Sequence, residues 1–130
     1  ARPVLFSTSH PPAVTAAGMA AIDLLKEKPE IIDRLWENTE FFRSGLQSLG
    51  FDTGASETPI IPVIVGDERK AMELADELFE NGVFAQGIAF PTVPRGKARV
   101  RNIITAAHTE SDLKYALDIY AKVGKKLGII

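Results

Sequence analysis

Phe90–Thr109 reads FPTVPRGKARVRNIITAAHT. Pro91 and Pro94 lead into a turn, Pro94-Arg95-Gly96-Lys97, and the fixed φ of proline stiffens that approach. The chain then alternates, Arg99 and Arg101 on one side, Val100 and Asn102 on the other, which is the period of a strand. It runs through Ile103 and Ile104 into small residues and reaches His108-Thr109 just ahead of a helical pattern. A guanidinium on a rigid strand can grip a carboxylate through two parallel hydrogen bonds. The same pattern also describes a polar hairpin with a solvated edge. Alternation places both arginines on one face and does not choose between them.

Working outward, the turn makes Val83–Ile88 and Arg99–Ile104 antiparallel neighbours. Ile60–Val65 is a continuous apolar run, read as a buried strand. Pro62 removes one ladder donor from it and so places it at an edge. Phe51–Thr53 is expected as a further short strand. Four helical patterns surround these strands. The first, Pro12 to about Lys26, is alanine-rich and apolar nearly all round, which predicts a buried core helix more readily than an interface helix. Ser9 or His10 stands where its cap belongs. The second, Pro29 to about Leu49, carries the stripe Ile32, Leu35, Thr39, Phe42, Leu46, Leu49 and stops at Gly50. The third follows Asp67 as a cap, with Ala71, Met72, Ala75, Leu78 and Phe79 as its apolar stripe, and stops at Gly82. The last opens on Thr109-Glu110-Ser111-Asp112, a capping-box pattern, and continues to about Leu127. The order α-α-(β)-β-α-β-β-α predicts an α/β domain of the α+β kind: a small, largely antiparallel sheet with helices packed on one face.

Composition narrows the chemistry. The 130 residues suffice for one domain with its own core, and the 45% hydrophobic and 25% charged fractions are those of an ordinary globular protein. A net charge of -2 argues against a nucleic acid or an anionic membrane as the main partner. No cysteine is present, so thiolate ligands and thiol nucleophiles are excluded. His10 and His108 are the only histidines, and no metal site is expected from them. No apolar run is long enough to span a membrane, and the opening residues lack the core of a signal peptide, so a cytoplasmic setting is expected. Neither a G-x-S-x-G elbow, a Walker loop nor a GxGxxG run occurs. The acidic residues Glu73, Asp76 and Glu77 read as a solvated helix face. Two features remain: the Arg99/Arg101 strand, and Ser7-Thr8-Ser9-His10, whose hydroxyls and amides ahead of a helix suit a phosphate or simply a cap. An anion clamp and a phosphate contact without a nucleophile suggest half of a site.

RPVLFSTSHPP, GVFAQGIAFPTVPRGKARVRNIITAAHT and the ending GKKLGII together resemble the C-terminal region of the α-oxoamine synthases, fold-type I pyridoxal-phosphate-dependent acyltransferases. Within the family the resemblance is strongest to glycine C-acetyltransferase (2-amino-3-ketobutyrate CoA ligase), with 8-amino-7-oxononanoate synthase second. It implies a whole enzyme that joins glycine to acetyl-CoA on pyridoxal phosphate as a homodimer, with residues 1–130 as its C-terminal domain and 1–28 as the junction to the large domain. It implies that Arg101 holds the substrate carboxylate. It implies that Ser7 and Thr8 reach the cofactor phosphate of the other subunit, although a threonine at Thr8 departs from the asparagine common in the glycine enzyme. His108 matches a position read as a structural contact at the helix start. The family's Schiff-base lysine lies upstream. Lys26, Lys28, Lys70, Lys97, Lys114, Lys122, Lys125 and Lys126 all fall outside its motif. This piece is therefore expected to hold no catalytic residue, to bind no cofactor alone and to be inactive alone. The alternatives from other classes are a stand-alone amino-acid-binding module and a dimerisation domain.

Overall fold

The computed structural model describes residue 2 and residues 8–130. The chain divides into two compact units, Ala1–Asp33 and Arg34–Ile130. In order, the elements are α1 (Pro12–Glu27), α2 (Glu30–Ser48), β1 (Ile60–Gly66), α3 (Glu68–Glu80), β2 (Gln86–Ile88), β3 (Ala98–Ile103) and α4 (Glu110–Lys126).

The three strands form one antiparallel sheet in the order β1-β3-β2, so the arginine strand is central and β1 is an edge, as Pro62 requires. The turn into β3 closes through Lys97 N–H donating to the Pro94 carbonyl at 3.1 Å. Gly96 takes φ +74, the left-handed conformation that the third residue of a type II turn demands. Arg95 lies over the Phe90 ring, 4.3 Å from its centroid, and braces the same loop.

One face of the sheet carries the core. Ile61, Val63, Ala98 and Val100 are fully buried there, packed with Phe42 and Leu46 of α2, Leu74 and Leu78 of α3, and Leu113, Tyr120 and Val123 of α4. The caps follow the sequence. Asp67 accepts from the Lys70 N–H at 2.8 Å, and Thr109 and Asp112 form a complete capping box. Gly50 takes φ +97 just past α2.

Four expectations fail. Phe51–Thr53 is not a strand. Phe51 and Thr53 are buried, but only one backbone bond ties the segment to β1, from Ile64 N–H to the Asp52 carbonyl at 2.8 Å. The Asp52 side chain then turns the chain by accepting from Gly54 N–H. The 83–88 strand shrinks to Gln86–Ile88, because Val83 N–H is taken by the Leu78 carbonyl at the end of α3. The alanine-rich helix α1 is not a core helix. None of its residues is buried, and Val14, Met19, Ile22, Leu24 and Leu25 are all exposed. Burying a helix that is apolar all round needs a second packed layer, and the described part of its own unit supplies none. Its capping position is Pro11, with no side-chain cap, rather than Ser9 or His10.

Candidate functional site

Arg99, Arg101 and Ile103 project from the face of β3 opposite the core. Antiparallel pairing puts directly opposed residues on the same face, which sets up rows across the sheet. One row is Pro62, Arg101 and Gln86; the next is Ile64, Arg99 and Ile88. Two cations therefore stand two residues apart on the central strand, with apolar residues and one amide beside them.

The Arg101 guanidinium is the better placed of the two. It is half-buried, and its Nη2 donates to the Gln86 side-chain oxygen across the strand pair. Its Nε is buried without an acceptor. No carboxylate lies within ion-pair distance of it among the described residues. A half-buried guanidinium with no carboxylate beside it and donors to spare can take an anion through charge-assisted hydrogen bonds. Arg99 is differently held: its Nε donates to the Lys97 carbonyl at 3.0 Å, which ties it back to the turn.

Arg101 borders two depressions. One, of about 490 Å³, lies over the open sheet face between the 54–58 loop and Thr92-Val93, with Ile64 and Arg99 in its floor. The other, of about 390 Å³, opens on the Gln86 side toward Phe84, Ile103 and His108. The 54–58 wall is pinned: Arg43 donates to the Thr58 carbonyl at 2.9 Å, and Ser56 to the Ile60 carbonyl at 2.6 Å.

A buried network supports β3 from behind. Asn102 donates to the Ile61 carbonyl at 3.0 Å and accepts from the Tyr120 hydroxyl at 2.7 Å. Phe42 and Phe51 meet the Tyr120 ring edge-on, and burial pushes its phenol well above the ordinary tyrosine value. Sequence reasoning missed Gln86, Asn102 and Tyr120 as a supporting set. The signal for Gln86 was the single amide inside VFAQGI, which gains meaning only once the register places it opposite Arg101.

Of the other candidates, Ser7 and the extended Val4–Phe6 segment lie outside the described residues. Thr8 is exposed and belongs to the first unit, whereas Arg101 belongs to the second. His108 is structural: its Nδ1 accepts from Thr105 N–H at 3.2 Å, while Asn38 reaches its carbonyl at 2.9 Å. Glu73 pairs with Arg69 and Glu77 with Lys126, consistent with a solvated acidic face. Among the described residues no cluster of acidic or imidazole groups could hold a metal, and no helix is long and apolar enough to cross a membrane.

An antiparallel sheet layered on one side by helices is the architecture of a small domain of the fold-type I transferases. The chain belongs to the aminotransferase class I and II family, which matches it over residues 1–119. Within that family it falls among the α-oxoamine synthases. It is 69% identical over 129 residues to the 8-amino-7-oxononanoate synthase of Symbiobacterium thermophilum, covering 99% of this chain and 33% of that protein. It is 59% identical over 130 residues to a Thermus thermophilus protein named 8-amino-7-oxononanoate synthase/2-amino-3-ketobutyrate coenzyme A ligase, again covering 33% of it. Among solved structures, a serine palmitoyltransferase of Sphingomonas wittichii superposes with a TM-score of 0.88 at 28% identity, covering 96% of this chain and 32% of that one. The chain thus spans about a third of the length of the curated relatives it matches.

The family is pyridoxal-phosphate-dependent. Taken separately, the Arg101 guanidinium of the second unit suits a carboxylate, and the exposed Thr8 hydroxyl of the first unit can donate to a phosphate.

Proposed function

We propose that the full-length protein is a pyridoxal-phosphate-dependent acyltransferase of the 8-amino-7-oxononanoate synthase type, acting as a cytoplasmic homodimer, and that this chain supplies its carboxylate clamp. Glycine C-acetyltransferase, first from the sequence motifs, gives way to the second reading. The curated relatives support the exchange: the Symbiobacterium protein carries only the synthase name, and the Thermus protein carries both.

The observation that carries the site is the un-neutralised Arg101 guanidinium with a buried, acceptor-free Nε on the open sheet face. Arg101 binds and orients the amino-acid carboxylate through charge-assisted hydrogen bonds. Ser7 and Thr8 contact the cofactor phosphate of the partner subunit. The cofactor, when bound, supplies the electron sink that stabilises negative charge at the amino-acid α-carbon. The pinned 54–58 loop keeps the open face shaped, so a carboxylate arriving at Arg101 meets a fixed surface rather than a mobile one. The isolated chain remains inactive, since no lysine in it stands in the motif for the cofactor linkage.

The two acyl-transfer readings differ in the fate of the carboxylate. A nine-carbon 8-amino-7-oxo acid assembled from a seven-carbon dicarboxylic thioester and alanine must lose the alanine carboxyl as carbon dioxide. A four-carbon product from glycine and acetyl-CoA keeps its carboxyl. The test supplies the full-length protein with carboxyl-labelled alanine plus pimeloyl thioester, and separately with glycine plus acetyl-CoA. Label released as carbon dioxide, with kcat/KM at least about tenfold above the glycine pair, supports the proposal. Preference for glycine and acetyl-CoA with label retained overturns it.

A further inference from the structure

The register places Gln86 of β2 directly opposite Arg101 of β3, on the same face of the sheet. Gln86 is exposed beside the pocket that Arg101 also borders. Arginine is a donor only, so the Gln86 atom facing it must be the amide oxygen. That bond fixes the guanidinium plane. It does so with a neutral acceptor, so the positive charge stays available. A carboxylate at the same position would fix the plane equally well but would also neutralise the charge. The strand carrying Gln86 is itself closely seated. A Cβ on the neighbouring Gly87 would stand 2.8 Å from the Met72 sulfur and 3.3 Å from the Ala75 Cβ, so β2 lies tight on α3. Gln86 therefore projects from a backbone with little freedom to withdraw.

We infer that Gln86 is a positioning residue for Arg101: it orients the guanidinium toward the amino-acid carboxylate without cancelling its charge, and so sets the affinity for the amino acid. This rests on the reading of Arg101 as the carboxylate clamp. Three properties follow from the chemistry. The effect falls on amino-acid binding, because that is where Arg101 acts. It spares the acyl thioester. And an acidic replacement is worse than an apolar one, since glutamate competes with the substrate for the same guanidinium from inside the protein, at high effective concentration.

The test uses the full-length holoenzyme and four proteins: the parent, Gln86→Met, Gln86→Glu and Arg101→Ala. Amino-acid dissociation constants are read by calorimetry, thioester KM by steady-state kinetics, and folding by thermal melting. The expected result is amino-acid affinity weakened about 3–10-fold in Gln86→Met and about 30-fold or more in Gln86→Glu, with thioester KM and melting temperature near those of the parent. Both Gln86 variants binding the amino acid within about twofold of the parent, while Arg101→Ala binds it poorly, overturns the role of Gln86 and leaves the clamp standing. Undiminished affinity in Arg101→Ala removes the clamp itself, and the role of Gln86 with it. An equal weakening in Gln86→Met and Gln86→Glu overturns the argument from charge.

Discussion

The two faces of β3 carry opposite assignments on alternate residues of one six-residue strand. Inward, Ala98, Val100 and Asn102 are buried, and the one polar group among them has both its hydrogen bonds made. Outward, Arg99 and Arg101 are half-buried, and Arg101 keeps a buried donor without an acceptor. A satisfied polar group stabilises the fold, whereas an unsatisfied charged one costs stability and is retained where a ligand completes it. Stability and binding should therefore separate by residue parity along the strand.

The sharpest way to break that separation is Arg101→Ala in the full-length enzyme. It should lower kcat/KM by about 10²–10³, from about 3–4 kcal/mol of lost charge-assisted binding, and raise the amino-acid KM with little change in melting temperature. An unchanged amino-acid KM would end the contrast. One residue along, Asn102→Ala should do the reverse. It leaves the buried Tyr120 hydroxyl without its partner, while the Ile61 carbonyl keeps its place in the β1–β3 ladder, and should cost about 1–3 kcal/mol in urea denaturation. Activity per folded molecule should survive; if it falls as far as in the arginine variant, the faces are not separable.

Tyr120 sharpens the inward side through pH. Its phenol is raised in the folded state, so the contribution is complete below the ordinary tyrosine value of about 10 and is lost as pH rises through the elevated folded value. Alkaline unfolding should therefore begin above about pH 10, and Tyr120→Phe should flatten that limb of the stability curve while lowering the plateau. The smallest expected effect lies outside the strand, at Asp112. Its bonds to the Thr109 side chain and backbone hold its carboxyl below the usual range, with His108 adding a minor pull. That contribution is present above the ordinary carboxylate value and fades as pH falls through the lowered one. Melting curves of Asp112→Asn should show a shallower loss on acidification than the parent. A slope identical to the parent's would mean that the box does not respond to pH.

What was legible in the sequence was local or periodic. The alternation of Arg99 to Asn102, the Gly96 turn, the Asp67 cap and the Thr109–Asp112 box each depend on residues within a few positions of one another, and each stands in the structure. What was not legible depended on partners distant in the chain. The run at Val83 looked like strand, but its N–H was already committed to Leu78. The helix from Pro12 looked like core, because apolarity announces a need for cover without saying what provides it. At the site, both arginines were visible and neither was distinguished by pattern. The structure separates them by what their Nε atoms face, the Lys97 carbonyl for Arg99 and no acceptor for Arg101.

Pro62 sits on the outer strand of the sheet, at the same parity as Ile64, whose N–H points away from β3 toward the Asp52 carbonyl. The N–H that proline lacks is thus one that would have faced outward. Its absence costs the ladder nothing. It leaves the outer rim of β1 without a donor midway along, so the rim makes a poor template for a strand from another molecule. The residue flanking Arg101 on the side away from Gln86 therefore also discourages edge-to-edge association, beside a face that must stay open for a ligand.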